Sequence, residues 1–266
     1  MDIINEETRF VVLDVETTGL NPRFGDRICE VGLVLAQGDQ IEETYSSLVN
    51  PQRPISPGAA AVNGLSDDLL VNAPLFSQIV EEVLARIKNR ILICHNVPFD
   101  LSFLEMETSR LGKQIRFSST IDTLQLARNY GHFYSNSLGA IAKQLKLETT
   151  GAHRALADAL TTFQVWQYFK HSVSFSEEPL IQPFQPGGTA SIAVQIPLPL
   201  HEAIDSQRDV EIVYVDRNGF ETTRLIRPIE AFVVGGTTYL VAYCYLRQDN
   251  RQFRLDRIVS INPTMS

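Results

Sequence analysis

The chain has 266 residues, 44% of them apolar, with 23 lysines and arginines against 31 aspartates and glutamates for a formal charge of −8. That length holds one large domain or two moderate ones, with a sizeable core. The acidic balance excludes a generic nucleic-acid coat, which would be basic, but not an enzyme acting on nucleic acid, because a carboxylate site turns positive once metal binds.

The opening stretch MDIINEETRF is acidic and polar, with neither the basic start nor the apolar centre of a secretion signal, and no apolar run reaches the length of a membrane span. Cys29, Cys94 and Cys244 are far apart, odd in number and set in apolar runs, which points to buried reduced thiols. A cytoplasmic protein without a membrane partner is expected.

Strand-like runs appear at Phe10–Val15, Ile28–Leu35 and Thr44–Val49, and the turn residues between them suit an antiparallel meander. After Pro54-Ile55-Ser56-Pro57, the apolar residues Phe76, Ile79, Val80, Val83, Leu84 and Ile87 recur at helical steps. Ile91–Cys94 reads as a short buried strand, and Asn96-Val97-Pro98 opens a helix that runs to Gly112. Further helices fit Thr120–Tyr130, Leu138–Leu145 and His153–His171. Residues 173–194 are rich in Ser, Pro, Gly and Gln without a sustained period and read as a linker. Beyond it come a short helix near His201–Ser206 and strands at Val210–Val215, Thr222–Ile226, Ala231–Val234, Thr238–Leu246 and Gln252–Leu255. Hairpin turns fit Asp216–Gly219 and Gly235-Gly236.

Three places carry chemistry. In FVVLDVETTGL, Asp14 and Glu16 stand two apart in an apolar run and so project from the same face of a strand. Burying such charges unpaired costs several kcal/mol, on the order of the desolvation of ions, and hard oxygen ligands suit magnesium or manganese. In ILICHNVPFD, a buried strand ends at His95-Asn96 and Asp100 falls in the first turn of the next helix, where the dipole favours a carboxylate. In GAHRALADA, His153 and Asp158 are five apart, about 140° around a helix of about 3.6 residues per turn, so they share a site only if His153 lies in the preceding loop. From there a histidine can act as general base. Singly, an edge strand, an ordinary helix start and a solvated loop histidine account for each.

In order along the chain, Asp14-x-Glu16-Thr17, His95-Asn96-x-x-Phe99-Asp100 and His153-x-x-x-x-Asp158 resemble the three motifs of the DnaQ-like, DEDDh 3′→5′ exonucleases, over roughly residues 8 to 170. The intervening PISPGAAAVNGLSDDLL also looks like that family, with Asn63 where a histidine is frequent. A related branch carries tyrosine four before the last aspartate; here Arg154 stands there, so the histidine branch is the match. The resemblance implies an RNase H-like α/β domain, a mixed five-stranded sheet with helices, over residues 1–172. It also implies two-metal phosphodiester hydrolysis with Mg²⁺ or Mn²⁺ at the 3′ end of single-stranded DNA or RNA, DNA favoured. Asp14 would bridge both metals, Glu16 and Asp158 would complete the first, Asp100 would support the second, and His153 would activate the attacking water. Thr17, Gly19, Leu20, His95, Asn96 and Phe99 would contact the terminal nucleotides.

The stretch from Glu211 to Ile258 resembles a WYL domain, a small, mostly β, SH3-like module, assigned to residues 195–266. Tyr214, Arg224, Pro228, Tyr239-Leu240 and Arg251-x-Phe253-Arg254-x-Asp256-Arg257 carry the likeness, with Thr238 in place of the namesake tryptophan. It implies a nucleotide or nucleic-acid ligand at Tyr214, Arg224, Tyr239, Arg251, Arg254 and Arg257. After His201 every basic position is arginine, whose planar fork suits phosphates, although acidic residues there are as numerous. Gln195-Ile-Pro-Leu198-Pro-Leu200 is similar to sliding-clamp docking peptides, though a linker entering the β domain accounts for it too. Other readings are a ligand-sensing regulator whose nuclease fold only binds strand ends, an exoribonuclease trimming RNA 3′ ends, and a partner supplying proofreading to a polymerase.

Overall fold

In a computed structural model, residues 4–19, 22, 25–149, 153–172, 182–183, 197–216, 219–234 and 237–263 are described. The chain divides into two compact units, Met1–Pro186 and Gly187–Ser266.

The first unit is built on a mixed sheet. Strand β1 (Arg9–Thr17) lies between β2 (Ile28–Gln37), antiparallel to it, and β4 (Ile91–Cys94), parallel to it. β3 (Gln40–Leu48) borders β2, and β5 (Ser119–Asp122) runs parallel to β4. A two-residue β6 (Gln182–Pro183), inside the stretch whose composition suggests a linker, adds an antiparallel sixth strand beyond β5. Seven helices accompany the sheet: α1 (Pro57–Asn63), α2 (Asp67–Leu70), α3 (Phe76–Ile87), α4 (Val97–Arg110), α5 (Thr123–Tyr130), α6 (Leu138–Leu145) and α7 (Ala155–Ser172).

β1 is buried on both faces, and its alternation sorts the core. Val11, Leu13 and Val15 pack with Phe76, Val80, Val83 and Ile87 of α3 and Phe103 and Leu104 of α4. Phe10 and Val12 face the other way, onto Phe163, Trp166 and Phe169 of α7. Asp14 and Glu16 follow the parity of Phe10 and Val12, so they lie on the face that α7 covers. Among the described residues the three cysteines are free and buried, as the sequence suggests.

The reading of Thr120–Tyr130 as one helix is corrected: Ser119–Asp122 is strand β5, and the helix starts at Thr123. Four residues are too few for periodicity to separate a buried strand from a helical turn. The boundary signal is Asp122, whose carboxylate accepts the N–H groups of Leu124 and Gln125 and caps α5.

The second unit is a five-stranded antiparallel sheet, ordered β10-β9-β8-β7-β11: β7 (Val210–Val215), β8 (Glu221–Val234), β9 (Thr237–Cys244), β10 (Asp249–Arg254) and β11 (Ile258–Pro263). β8 is one strand where two are expected, because Pro228 sits at a register shift between Pro228 and Glu230 instead of ending the strand. The edge strand β11 escapes the sequence reading. Helix α8 (Leu198–Asp205) contributes Leu200 and Ala203 to a core with Ile212, Ile226, Leu240 and Phe253. Among the described residues no helix is long and apolar enough to cross a membrane.

Candidate active site

Asp14 and Glu16 reach the same space as Asp158 of α7, and one carboxylate oxygen from each lies within 4.8 Å of the other two. The site sits where β1 leaves its pairing with β2: the register shifts between Glu16 and Thr17. A bulge there re-aims side chains at the strand end. Thr17 Oγ1 donates to the Gly19 carbonyl at 2.6 Å, and the Thr17 carbonyl accepts from buried Asn63 at 3.4 Å. At Gly19 any side chain would strike Asp26, since an added Cβ would lie 2.3 Å from its Oδ2. Leu20 lies outside the described residues.

Asp100 approaches from α4. It is 3% exposed, and its Oδ1 accepts the backbone N–H of Val15 at 3.1 Å, between Asp14 and Glu16. The start of α4 is set by Asp122, whose carboxylate accepts the N–H groups of Asn96 (3.2 Å) and Val97 (3.1 Å) besides those of α5. Asn96 takes a left-handed conformation, φ 94°, at the strand-to-helix turn.

His153 is not helical. It lies two residues before α7, exposed, with φ 64°, and its backbone N–H donates to Asp158 Oδ2 at 3.2 Å. Arg154 pairs through Nε (3.0 Å) and Nη2 (2.9 Å) with both oxygens of Glu30, a buried residue of β2.

The electrostatics of the cluster call for a cation. Burial, then repulsion from Asp100, Asp158 and Glu16, pushes the Asp14 carboxyl well above the usual carboxylate range. Burial and Asp158 push Glu16 up to about 7, with Arg154 and Asn63 opposing. Asp158 is raised by burial, with His153 opposing. Three convergent carboxylates that resist ionising together are a donor set of hard oxygens suited to a divalent cation. A groove lined by Leu138, Gly139, Ala142, Lys143, Leu147, Thr149 and Thr161 opens beside Asp158.

A family model described as Exonuclease matches residues 11–166, more than half the chain and all of these residues. The chain belongs to the exonuclease family. A second model, the WYL domain, matches residues 196–263, so the resemblance to a DnaQ-like exonuclease followed by a WYL domain holds. A stretch of 165 residues is 37% identical to the DNA polymerase III subunit epsilon of Rickettsia prowazekii, covering 59% of this chain and 72% of that subunit. A stretch of 164 residues is 37% identical to the PolC-type DNA polymerase III of Thermotoga petrophila, covering 62% of this chain. The chain spans only 12% of that polymerase's length. The nuclease domain of 3′hExo, a DEDDh family member solved with rAMP, superposes with a TM-score of 0.55 at 17% identity, over 68% of this chain and 98% of that one. That likeness is one of fold.

Other expected contact residues of the exonuclease unit have partners inside the protein. The ring of His95 meets Thr123 Oγ1 and the Asn136 carbonyl, each at 2.9 Å, and burial holds it below the ordinary histidine range. It fastens the loop before α6 to the end of β4. Phe99 packs against Phe103, ring centroids 5.1 Å apart, at the margin of the core.

Among the WYL candidates, Tyr239 and Arg254 stand directly opposite each other in the β9–β10 register. The Arg224 guanidinium lies 5.9 Å from the ring centroids of both Tyr214 and Phe253. Tyr239 instead stacks on Phe232 at 5.6 Å, and alternation along β9 places it opposite to buried Leu240. Arg254 gives its guanidinium to Asp256, at 3.0 and 2.6 Å, and its backbone N–H to Tyr214 Oη at 3.4 Å. Arg251 is exposed on β10, and Arg257 ends a short 3₁₀ turn. In the clamp-like peptide, Gln195 lies outside the described residues and Leu200 is buried in the core of its unit.

Sequence reasoning missed Glu30 and Asp122. Glu30 carried a signal of the same kind as Asp14: a lone carboxylate in the apolar run ICEVGLVLA.

Proposed function

We propose that the chain is a divalent-metal-dependent 3′→5′ exonuclease that hydrolyses the terminal phosphodiester of single-stranded nucleic acid, DNA favoured, and releases nucleoside 5′-monophosphates. The observation that carries this reading is the meeting of Asp14, Glu16 and Asp158 within 4.8 Å, beside a histidine fixed in a loop. Asp14, Glu16 and Asp158 would hold one cation, and Asp14 with Asp100 a second. When bound, such ions polarise the phosphate and stabilise charge on the attacking and leaving oxygens.

The chain's own residues supply the rest. Asp158 fixes the backbone of His153 through its amide, which leaves the exposed imidazole at the edge of the cluster. A neutral ring nitrogen takes the proton of the attacking water as the phosphorus–oxygen bond to the leaving 3′ oxygen breaks. That oxygen is then protonated as the 3′-hydroxyl of the shortened strand. The groove beside Asp158 offers room for the terminal nucleotide, with Lys143 as a cationic contact for phosphate. The WYL domain would bind nucleotide or nucleic acid at Arg224, which lies beside the rings of Tyr214 and Phe253.

The test is a gel assay of 5′-labelled single-stranded DNA and RNA with Mg²⁺, Mn²⁺ or EDTA, with Asp14→Ala alongside. A metal-dependent ladder shortening from the 3′ end, absent in the variant, supports the enzyme and ranks the two substrates. Intact oligonucleotides that shift on a native gel would instead make the protein a binder of strand ends.

A further inference from the structure

Glu30 is a buried carboxylate beside the cluster for which the proposed chemistry has no use. It is 1% exposed, sits on β2 directly opposite Glu16 in the β1–β2 register, and lies close enough to raise Asp14, Glu16 and Asp158. A further negative charge there is a handicap to a site already crowded with carboxylates, unless its position does something else.

Its contacts show what that is. Glu30 accepts three N–H groups, all from the residues that immediately follow His153: Arg154 Nε, Arg154 Nη2 and, at 3.3 Å, the backbone of Ala155. Ala155 opens α7, so Glu30 takes up one of the N–H groups that a helix start leaves unpaired. Arg154, at 49% side-chain exposure, covers Glu30 from the solvent side. Gly32, two residues along the same strand, admits the helix: a Cβ there would lie 2.3 Å from the Ala155 carbonyl carbon and the Leu156 nitrogen. Strand β2 therefore holds the start of α7 at two points.

The grip matters because of what lies on either side. His153 has φ 64°, a left-handed conformation that a non-glycine residue keeps only when its neighbours impose it. Asp158 holds that turn from inside the helix through the His153 amide, and Glu30 holds it from the sheet through Arg154 and Ala155.

We propose that Glu30 and Arg154 form a clamp between β2 and the start of α7 that fixes His153 and Asp158 for hydrolysis, and that both are positioning residues. The effect on rate rests on the exonuclease reading; the effect on the loop does not. The side chain of Arg154 thus has a structural task at the place where the related branch carries its catalytic tyrosine.

The test uses the full chain with Glu30→Gln, Arg154→Met and Arg154→Lys, and reads both turnover and hydrogen–deuterium exchange across residues 153–158. Glu30→Gln and Arg154→Met should lower kcat about tenfold or more, the scale for residues that orient site ligands, with KM within about twofold. Both should also speed exchange of the His153–Asp158 amides. Arg154→Lys, half-exposed and conservative, keeps the charge without the fork and should fall between parent and Arg154→Met. Exchange equal to the parent's in all three variants overturns the clamp. Faster exchange with unchanged kcat overturns its part in catalysis. If the parent itself cleaves nothing, the exonuclease reading fails, and the exchange data alone decide whether the clamp exists.

Discussion

The backbone N–H of Val15 donates to Asp100 Oδ1 at 3.1 Å, which ties a carboxylate of α4 to β1 at the residue between Asp14 and Glu16. Burial, with repulsion from Asp122 and Glu16, pushes Asp100 well above the usual carboxylate range, while the Val15 bond opposes the rise. Asp100→Asn keeps an acceptor for Val15 and removes the charge. Its Tm in EDTA should therefore exceed the parent's, while its nuclease rate falls about a thousandfold or more, as expected for several kcal/mol of lost metal-assisted stabilisation. Thermal melts paired with the gel assay check both. A lower Tm in EDTA would mean that the charge itself holds α4 in place.

Cation binding should also be visible without any substrate. Mg²⁺ or Mn²⁺ should raise the Tm of the parent but not of Asp14→Ala. A ligand at a hundred times its Kd contributes about 2.7 kcal/mol to stability.

The same cluster sets a pH dependence. Glu16 stands at about 7 in the folded protein against an ordinary value of 4.5, so a proton on it favours the folded state. That contribution is present in full below pH 4.5 and is lost as the pH rises through 7. The metal-free Tm should therefore fall between pH 5 and pH 8, and saturating Mn²⁺ should flatten the fall, since the cation replaces the proton. Melting curves across this range with and without EDTA decide it; parallel slopes would count against a shared site.

Asp122 accepts four backbone N–H groups, from Asn96, Val97, Leu124 and Gln125, at 2.9–3.2 Å. It joins the starts of α4 and α5. Asp122→Ala leaves those donors partly unpaired and should cost about 2–3 kcal/mol in urea unfolding. A loss below about 0.5 kcal/mol would show that water replaces it.

Two glycine substitutions should separate close packing from helix propensity. Gly32→Ala drives a methyl group into the backbone of α7 and should cost about 2 kcal/mol or more, with reduced turnover because α7 carries Asp158. Gly139→Ala, in α6, meets nothing within 4 Å and should stabilise by up to about 1 kcal/mol. Denaturant midpoints of the two variants give the comparison.

Much of this was legible from residue order. The 3.6-residue period exposed α3, the paired Pro98 and Gly112 bounded α4, and the alternation of FVVLDVET placed Asp14 and Glu16 on one face. These signals report interactions within a few residues, which is also why β5 reads as helix from sequence: its evidence is the pairing with β4, some 28 positions away. His95 shows the same limit. Its partners, Thr123 and Asn136, lie 28 and 41 residues on, and nothing local distinguishes a ring aimed at a ligand from one that fastens a loop.

By itself, then, the sequence determined which residues could do chemistry, through their types, their spacing and the parity of the strand that carries two of them. Only the tertiary structure decided which of them meet. Strand β1, buried on both faces, had to receive α7 on the face of Asp14 and Glu16, and Gly32 let the helix come close enough to bring Asp158 there. The Glu30–Arg154 pair, 124 positions apart, belongs wholly to that second kind of information, because each side chain alone has an ordinary local explanation and only their bidentate contact gives them a shared task.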